Sequence, residues 1–403
     1  MRNHPEVIVR LALVVLVGML RLTAGFAPAE GQAAGAWPVT TPQAVGLDAK
    51  ALDSFDADIK SGKYGNVDSL LIMRHGKVAF DRTYSHDYDT IYAAEAKTTG
   101  ALNAHDFGGP YNYFNAWWHP FYRRGDLHSM QSVTKSVVSA VIGVAVTRHE
   151  FPSLDTPVLK FFDESKVANV DERKRKMTIR NLLTMTTGEQ WQDDLPYNDP
   201  RNAASIMEAS QDWVKFFIDQ PMAEDPGTRF YYNDGAPEAL AYIFQKAMGQ
   251  DIEEYAAKYL FAPIGIEHWY WKRIPMGLAD TEGGLYLERH DLAKLMVLFQ
   301  RGGMWGGKQV VGKDWVAGTI KPAVTVSEKT GVKYGLLWWL YPYGKDDPRL
   351  AFGGSGFGGQ VPIVIPDYDI VIVVNAWNIL KGPGLGARVA IDRVLGAVTD
   401  GKR

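Results

Sequence analysis

Cysteine is absent from this chain of 403 residues. The protein therefore has no disulfide framework, no thiolate metal ligand and no cysteine for lipid attachment. The sequence is 46% hydrophobic and 12% aromatic, which is enough apolar surface for a large buried core. We expect a folded protein whose stability comes from that core.

An excess of charge of either sign is also missing. The formal net charge is -3, and the basic run at 173–176 is short and follows Asp171 and Glu172. Nucleic acids and acidic membrane surfaces select a strongly basic surface. The composition therefore predicts no nucleic-acid partner and favours small molecules.

Several motifs of other enzyme classes are lacking. The nine histidines are scattered without a His-Glu-x-x-His spacing, so we predict no metal site. No phosphate-binding glycine loop precedes a Lys-Ser or Lys-Thr pair, and no dinucleotide fingerprint follows a strand, so no cofactor is expected. A Gly-x-Ser-x-Gly elbow in a strand-to-helix setting is missing too, which disfavours an α/β-hydrolase.

The first 36 residues resemble an export signal with a short linker. Arg2 and Arg10 give a positive start, and residues 11–20 form an apolar segment that is too short to span a bilayer and is interrupted by Arg21. Two candidate cleavage sites follow, at 27–29 and 34–36. We expect a periplasmic or secreted protein with no stable membrane span after cleavage; an uncleaved anchor is the less favoured alternative.

Strand patterns lie at both ends of the mature chain, and helical patterns lie between them. The pattern predicts one domain, 37–403, in which residues of about 37–150 and 291–403 build a sheet with flanking helices and residues of about 151–290 form an inserted, mainly helical subdomain. This is an α+β arrangement. The predicted elements are a helix at 48–61, a hairpin at 67–84, helices at 178–185, 203–218, 238–248 and 292–300, strands at 334–340, 360–365 and 370–374, and a closing helix at 387–394.

A candidate nucleophile lies at the start of a long apolar segment. Ser132 and Lys135 are three residues apart, so both side chains fall on one face of the helix that the apolar run 137–146 predicts. A lysine in a partly desolvated site has a lowered pKa, and its neutral amine can take the proton of a serine hydroxyl. A Ser-x-x-Lys match alone is weak evidence, but its position at the mouth of a buried helix strengthens it.

Three ordered motifs together resemble one known family. They are Ser-Val-Thr-Lys at 132–135, Pro-Gly-Thr-Arg-Phe at 226–230 followed by tyrosine, and a glycine-rich strand entry followed by Val-Ile-Pro at 364–366. The chain resembles the serine β-lactamase and penicillin-binding protein superfamily, in the class C-related branch that includes esterases, D-amino-acid peptidases and 6-aminohexanoate-dimer hydrolases. The resemblance implies a β-lactamase/transpeptidase-like fold with an antiparallel sheet. It also implies that Ser132 is the acylated nucleophile and Lys135 its base.

The second motif of the family, Tyr-x-Asn, is matched less well. Spacing from Phe230 and Gly249 favours Tyr232 as the catalytic tyrosine, whose pKa a neighbouring cation such as Lys135 would lower. Asp234 then replaces the asparagine, so a possible anion takes the place of a neutral amide. Tyr231 as the catalyst, which satisfies the motif literally, and a core-packing role for either tyrosine remain alternatives.

The third motif, Lys-Thr-Gly, departs further. A literal match at 329–331 precedes the wrong strand, whereas family spacing from Pro366 points to 351–353, Ala-Phe-Gly, which has no cation. The resemblance implies that the backbone near Gly354, with Ser355 beside it, joins the N–H of Ser132 as an oxyanion hole. A glycine-rich bend that only begins a strand is the alternative.

These residues favour a serine hydrolase that cleaves a small-molecule ester or amide through a Ser132 acyl-enzyme. Because the family's cation helps to bind the carboxylate of β-lactams, we expect weak or absent β-lactamase activity. The alternatives are a non-catalytic binding protein for cell-wall fragments or another small ligand, and a true β-lactamase or D-amino-acid peptidase.

Overall fold

The computed structural model describes residues 37–103, 108–344, 349–380 and 382–400. The expected signal at 1–36 lies outside the described residues. In the parts that are described, no helix combines the length and the apolar character that a bilayer crossing requires.

The strands are short and mostly antiparallel. In chain order they are β1 Val67–Arg74, β2 Lys77–Thr83, β3 His128–Ser129, β4 Tyr270–Trp271, β5 Leu285–Leu287, β6 Met304–Trp305, β7 Lys308–Gln309, β8 Val324–Ser327, β9 Val332–Tyr334, β10 Trp339–Tyr343, β11 Arg349–Gly353, β12 Val361–Ile365 and β13 Ile370–Ala376.

The α-helices lie before, between and after these strands. They are α1 Ala49–Lys60, α2 Tyr88–Ile91, α3 Val133–Thr147, α4 Glu172–Lys176, α5 Ile179–Thr184, α6 Ala203–Glu208, α7 Trp213–Ile218, α8 Gly235–Met248, α9 Ile252–Ala256, α10 Ala262–Ile264, α11 Arg289–Gln300, α12 Lys313–Thr319 and α13 Ala387–Gly396.

One eight-stranded sheet joins the two ends of the chain. Its order is β2-β1-β13-β12-β11-β10-β9-β8, and every neighbouring pair is antiparallel. The N-terminal strand β1 pairs along its length with the C-terminal strand β13. The predicted α+β class, with a sheet assembled from both termini around a helical middle, is confirmed.

Both faces of this sheet are covered, and strand β1 shows why. All eight of its residues are buried. Side chains alternate across a strand, so Leu70 and Ile72 pack into the core beneath α1 and α13, while Leu71 and Met73 pack into the larger core that includes α3. A strand that is buried on both faces carries a continuous apolar run, which is what the sequence has here.

Two elements that were predicted to be continuous are interrupted in the structure. The helix expected at 203–218 is two helices, α6 and α7, because Asp212 leaves helical geometry and its side chain caps α7 by accepting from the N–H of Lys215. The strand expected at 334–340 is broken between β9 and β10. There Leu337 has φ of 62° and its N–H donates to the carbonyl of Leu183, so the backbone leaves the sheet to contact the helical part.

Helix α3 is the central element of the fold. Its residues from Val133 to Ala145 are all buried, so the helix cannot shift without moving the core around it. Gly143 allows α12 to approach: a β-carbon there would lie 2.3 Å from the indole of Trp315. The first turn of α3 is therefore held in place from behind.

We predict opposite effects for two helical glycines. Gly143→Ala inserts a methyl group against Trp315 and should lower the free energy of unfolding by about 1–3 kcal/mol. Gly318→Ala, in α12, meets no atom within 4 Å and should raise it by up to about 1 kcal/mol through helix propensity. Urea unfolding followed by circular dichroism checks both; equal effects would contradict the tight contact between α3 and α12.

Candidate active site

The turn before α3 presents Ser132 to a cleft. Strand β3 pairs with β5, and the N–H of Met130 continues that contact by donating to the carbonyl of Leu285 at 2.8 Å. Gln131 then adopts a positive φ of 47°, an unfavourable conformation for a residue with a side chain. Such strain is common at functional sites, and here it places Ser132 half-exposed at the helix mouth.

Lys135 lies one turn further along α3 and is fully buried. Its ammonium nitrogen Nζ donates to Ser132 Oγ at 2.9 Å, to Asp234 Oδ1 at 2.6 Å and to the carbonyl of Glu282 at 2.7 Å. An ammonium has three N–H donors, so each of them has an acceptor. The geometry holds Lys135 in its charged form.

The predicted lowering of the Lys135 pKa is wrong. Burial does act in that direction, but the negative charge of Asp234 lies 2.6 Å away and, with further contributions from Tyr232 and Glu282, outweighs it. The pKa of Lys135 is therefore raised. The sequence analysis anticipated an anion at 234 but not its direct contact with the lysine.

Tyr232 faces the Ser132–Lys135 pair, and Tyr231 does not. The ring centre of Tyr232 is 5.1 Å from Lys135 Nζ. The ring of Tyr231 instead lies under the guanidinium of Arg229. Burial raises the pKa of Tyr232 more than Lys135 lowers it, so the predicted lowering is wrong here too, and the residue is a neutral phenol.

Asp234 is held at the start of α8. The preceding Asn233 caps this helix by accepting from the N–H groups of Gly235 and Ala236. The carboxylate of Asp234 is thereby left to contact Lys135 through Oδ1 and the hydroxyl of Tyr197 through Oδ2, at 2.8 Å. Asp234 therefore serves as the counter-ion of the lysine.

The glycine-rich segment after β11 packs against the first turn of α3. A β-carbon on Gly354 would lie 3.0 Å from the side chain of Val133, and one on Gly356 would lie 2.7 Å from the carbonyl of Met130. Only glycine allows this approach. The segment is therefore beside Ser132, as the sequence predicted.

Gly354 cannot itself supply the oxyanion-hole N–H. That group donates to the carbonyl of Pro362 at 3.0 Å, continuing the ladder between β11 and β12. Successive N–H groups of a strand point to opposite sides, so that of Ser355 points away from β12. Within the described residues, the N–H groups of Ser132 and Ser355 have no backbone acceptor, which makes Ser355 the better candidate.

The position of the missing cation is occupied by hydrocarbon. Ala351 and Phe352 lie buried in β11, and Phe352 packs edge-on against Trp338. The literal Lys329-Thr330-Gly331 lies in the turn between β8 and β9, at the far edge of the sheet. The motif therefore lies outside β11, in agreement with the prediction that it precedes a different strand.

A second acidic pair, which the sequence analysis missed, closes the other side of the cleft. Both Glu208 and Glu282 line the cleft, and Glu208 accepts from the hydroxyl of Tyr113 at 2.6 Å. Burial raises the pKa of both carboxyls. The one available signal was the Glu-Gly-Gly at 282–284, an acidic residue entering a buried strand. The cleft measures about 370 Å³ including its open mouth and is lined by Leu102, Tyr113, Gln131, Ser132, Tyr197, Ser205, Glu208, Asp234, Glu282, Gly283 and Phe357.

The acidic residues of the cleft do not form a metal site. Throughout the described ranges, no group of three His, Asp or Glu side chains is arranged to hold a metal ion. The arrangement is that of a nucleophile, a buried cation with its counter-ion, and a phenol.

Comparison with known proteins agrees with this arrangement. The family model Beta-lactamase matches residues 67–392. A 6-aminohexanoate-dimer hydrolase of Paenarthrobacter ureafaciens is 25% identical over 281 residues, which is 64% of this chain and 69% of that protein.

Solved structures share the fold at lower identity. A Bacillus anthracis protein named after 6-aminohexanoate-dimer hydrolase superposes with a TM-score of 0.63 at 16% identity, covering 90% of this chain and 87% of the other. A family VIII carboxylesterase superposes with a TM-score of 0.58 at 15% identity, covering 90% and 98%. The family match extends over most of the described sheet and helices, so the chain belongs to the beta-lactamase family of serine hydrolases.

Proposed function

We propose that this protein hydrolyses an ester or amide bond of a small molecule through an acyl-enzyme on Ser132. The observation that carries the proposal is the contact of Ser132 Oγ with Lys135 Nζ at 2.9 Å, beside a cleft that Ser132 lines and with the ring of Tyr232 5.1 Å from the lysine nitrogen. A nucleophile next to a base that a third group holds in place is the arrangement that covalent catalysis needs.

The chemistry divides among the residues as follows. In the small fraction of molecules in which the Lys135 amine is neutral, that amine takes the proton of the Ser132 hydroxyl. Ser132 Oγ then attacks the carbonyl carbon of the substrate. The N–H groups of Ser132 and Ser355 stabilise the oxyanion. The neutral phenol of Tyr232 donates its proton to the leaving group and regains one from Lys135, after which water repeats the attack.

Two further parts of the proposal concern the whole chain. We place the mature protein in the periplasm or outside the cell, because of the signal-like residues at 1–36. We treat 37–403 as one catalytic domain, since β1 and β13 pair across the ends of the chain.

Covalent labelling tests the proposed nucleophile. Intact-mass analysis after a fluorophosphonate probe should show one adduct on the protein and none on Ser132→Ala. Ser136→Ala, a buried serine one turn along α3 that bonds the carbonyl of Leu337, is the matched control and should still be labelled. A folded wild-type protein that takes up no probe would favour the non-catalytic binding protein.

The pH dependence tests the lysine base. Because Asp234 raises the pKa of Lys135, the neutral amine becomes more abundant as the pH rises, and kcat/KM for p-nitrophenyl acetate should climb across the alkaline range. Asp234→Asn removes the anion, lowers the pKa of Lys135 and should move this rise to lower pH. Asp199→Asn, a partly buried residue of the neighbouring loop that pairs with Arg201, should leave the profile in place. A wild-type profile that is flat from neutral to alkaline pH would contradict Lys135 as the base.

The hydrocarbon in β11 predicts poor β-lactam turnover. Without a cation at 351–353, the carboxylate of nitrocefin loses a charge-assisted contact, which corresponds to a loss of about 10–100-fold. We expect kcat/KM for nitrocefin to be lower than that for p-nitrophenyl acetate. Nitrocefin turnover at the level of the ester would overturn the prediction.

A further inference from the structure

A larger groove lies next to the catalytic cleft. It encloses about 1290 Å³ including its open mouth, against about 370 Å³ for the cleft that holds Ser132. Its walls come from the turn between β8 and β9, from β10 and from the start of α13. Much of the wall is apolar, formed by Val326, Val332, Trp339, Tyr341 and Pro342.

The groove is continuous with the proposed catalytic machinery. Ser355 lines it together with Tyr341. Trp339, also in the wall, stacks on Tyr232 with ring centres 5.8 Å apart. The ring of Tyr232 in turn faces Lys135, which bonds Ser132, so a substrate that extends past Ser355 enters the groove.

Two cations stand in the groove, and no carboxylate is among its lining residues in the described chain. Lys329 is exposed and makes no hydrogen bond or ion pair with another described residue. Arg388 is exposed and pairs with Asp392 through Nε, but its second terminal nitrogen, Nη2, makes no such contact in the described part of the chain. An apolar channel with cations along its wall is complementary to an apolar group that carries an anion.

We propose that this groove binds one arm of the substrate, an apolar chain that ends in a carboxylate. The inference rests on the proposed hydrolase function and specifies its substrate class. The scissile carbonyl lies at Ser132, the chain runs past Ser355 over Trp339 and Tyr341, and the carboxylate meets Lys329 and Arg388. The literal Lys-Thr-Gly at 329–331 thus contributes its lysine away from the strand position that the family uses.

Matched ester pairs test the groove. The first series compares p-nitrophenyl butanoate, hexanoate and octanoate with the p-nitrophenyl monoesters of succinic, adipic and suberic acids, so that the chain lies on the acyl side. The second compares the acetyl ester of hexanol with that of 6-hydroxyhexanoate, so that the chain lies on the alcohol side. Each pair is measured on the wild type, on Lys329→Gln and on Lys308→Gln, a surface lysine of the β6–β7 hairpin that serves as control.

If the groove takes the acyl side, kcat/KM should rise about twofold for each added methylene along the first series, which corresponds to half of the free energy of full burial. In whichever of the two series places its chain in the groove, the carboxylate ester should exceed its neutral partner by about threefold to fivefold, as for exposed ion pairs, and the ratio should fall with salt. Lys329→Gln should reduce the ratio toward one, whereas Lys308→Gln should not change it.

A ratio of one in both series, or a ratio that Lys329→Gln does not alter, would overturn the groove proposal. The hydrolase proposal is judged separately, by turnover of p-nitrophenyl acetate in the wild type and its loss in Ser132→Ala. If p-nitrophenyl acetate is hydrolysed through Ser132 but the ester ratios do not behave as predicted, the hydrolase proposal stands and the proposed substrate class is wrong.

Discussion

The buried ion pair between Lys135 and Asp234 is the interaction on which the site depends. Two charges that are removed from water require good geometry and further hydrogen bonds, because their desolvation costs several kcal/mol each, on the order of their mutual attraction. Both partners have these bonds: Lys135 through Ser132 and Glu282, and Asp234 through Tyr197. Breaking one partner leaves an uncompensated charge in the core, so the pair ties α3 to α8 as well as serving chemistry.

The ion pair also explains how one cleft holds so many acids. Asp234 is neutralised by its lysine, while burial raises the pKa of Glu208 and of Glu282. Asp193, near Asp234, has its pKa raised to about 8 by burial first and by that neighbouring charge second. The cleft therefore carries far less negative charge near neutral pH than its composition indicates, and an approaching hydroxide or anionic substrate meets little repulsion.

Much of the fold could be predicted from the sequence because its signals are local. The hairpin of β1 and β2 shows itself by two apolar runs around a turn, and α3 by an unbroken apolar stretch behind Ser132. The breaks at Asp212 and Leu337 could not be predicted in the same way. Leu337 takes its strained backbone from contacts with the carbonyl of Leu183 and the hydroxyl of Ser136, which are distant in sequence.

In the site too, features set by local sequence could be predicted, whereas features set by contacts distant in sequence could not. Spacing placed Ser132, Lys135 and Tyr232 together, because a helical turn and a family motif carry that information. The pKa directions were missed, since they depend on how Asp234 and Glu282 reach Lys135 across the fold. The candidate N–H for the oxyanion hole moves from Gly354 to Ser355 because hydrogen-bond direction after β11 depends on its pairing with β12, which spacing from Pro366 does not reveal.

The most direct test of the account is the covalent intermediate itself. The protein is mixed with p-nitrophenyl acetate, quenched in acid within the first turnover, digested and analysed by tandem mass spectrometry. The account predicts an acetyl group on Ser132, accompanied by a burst of about one p-nitrophenolate per protein when deacylation is slower than acylation. Steady hydrolysis with no acetyl group on that residue, or an acetyl group on another residue that accounts for the turnover, would contradict it.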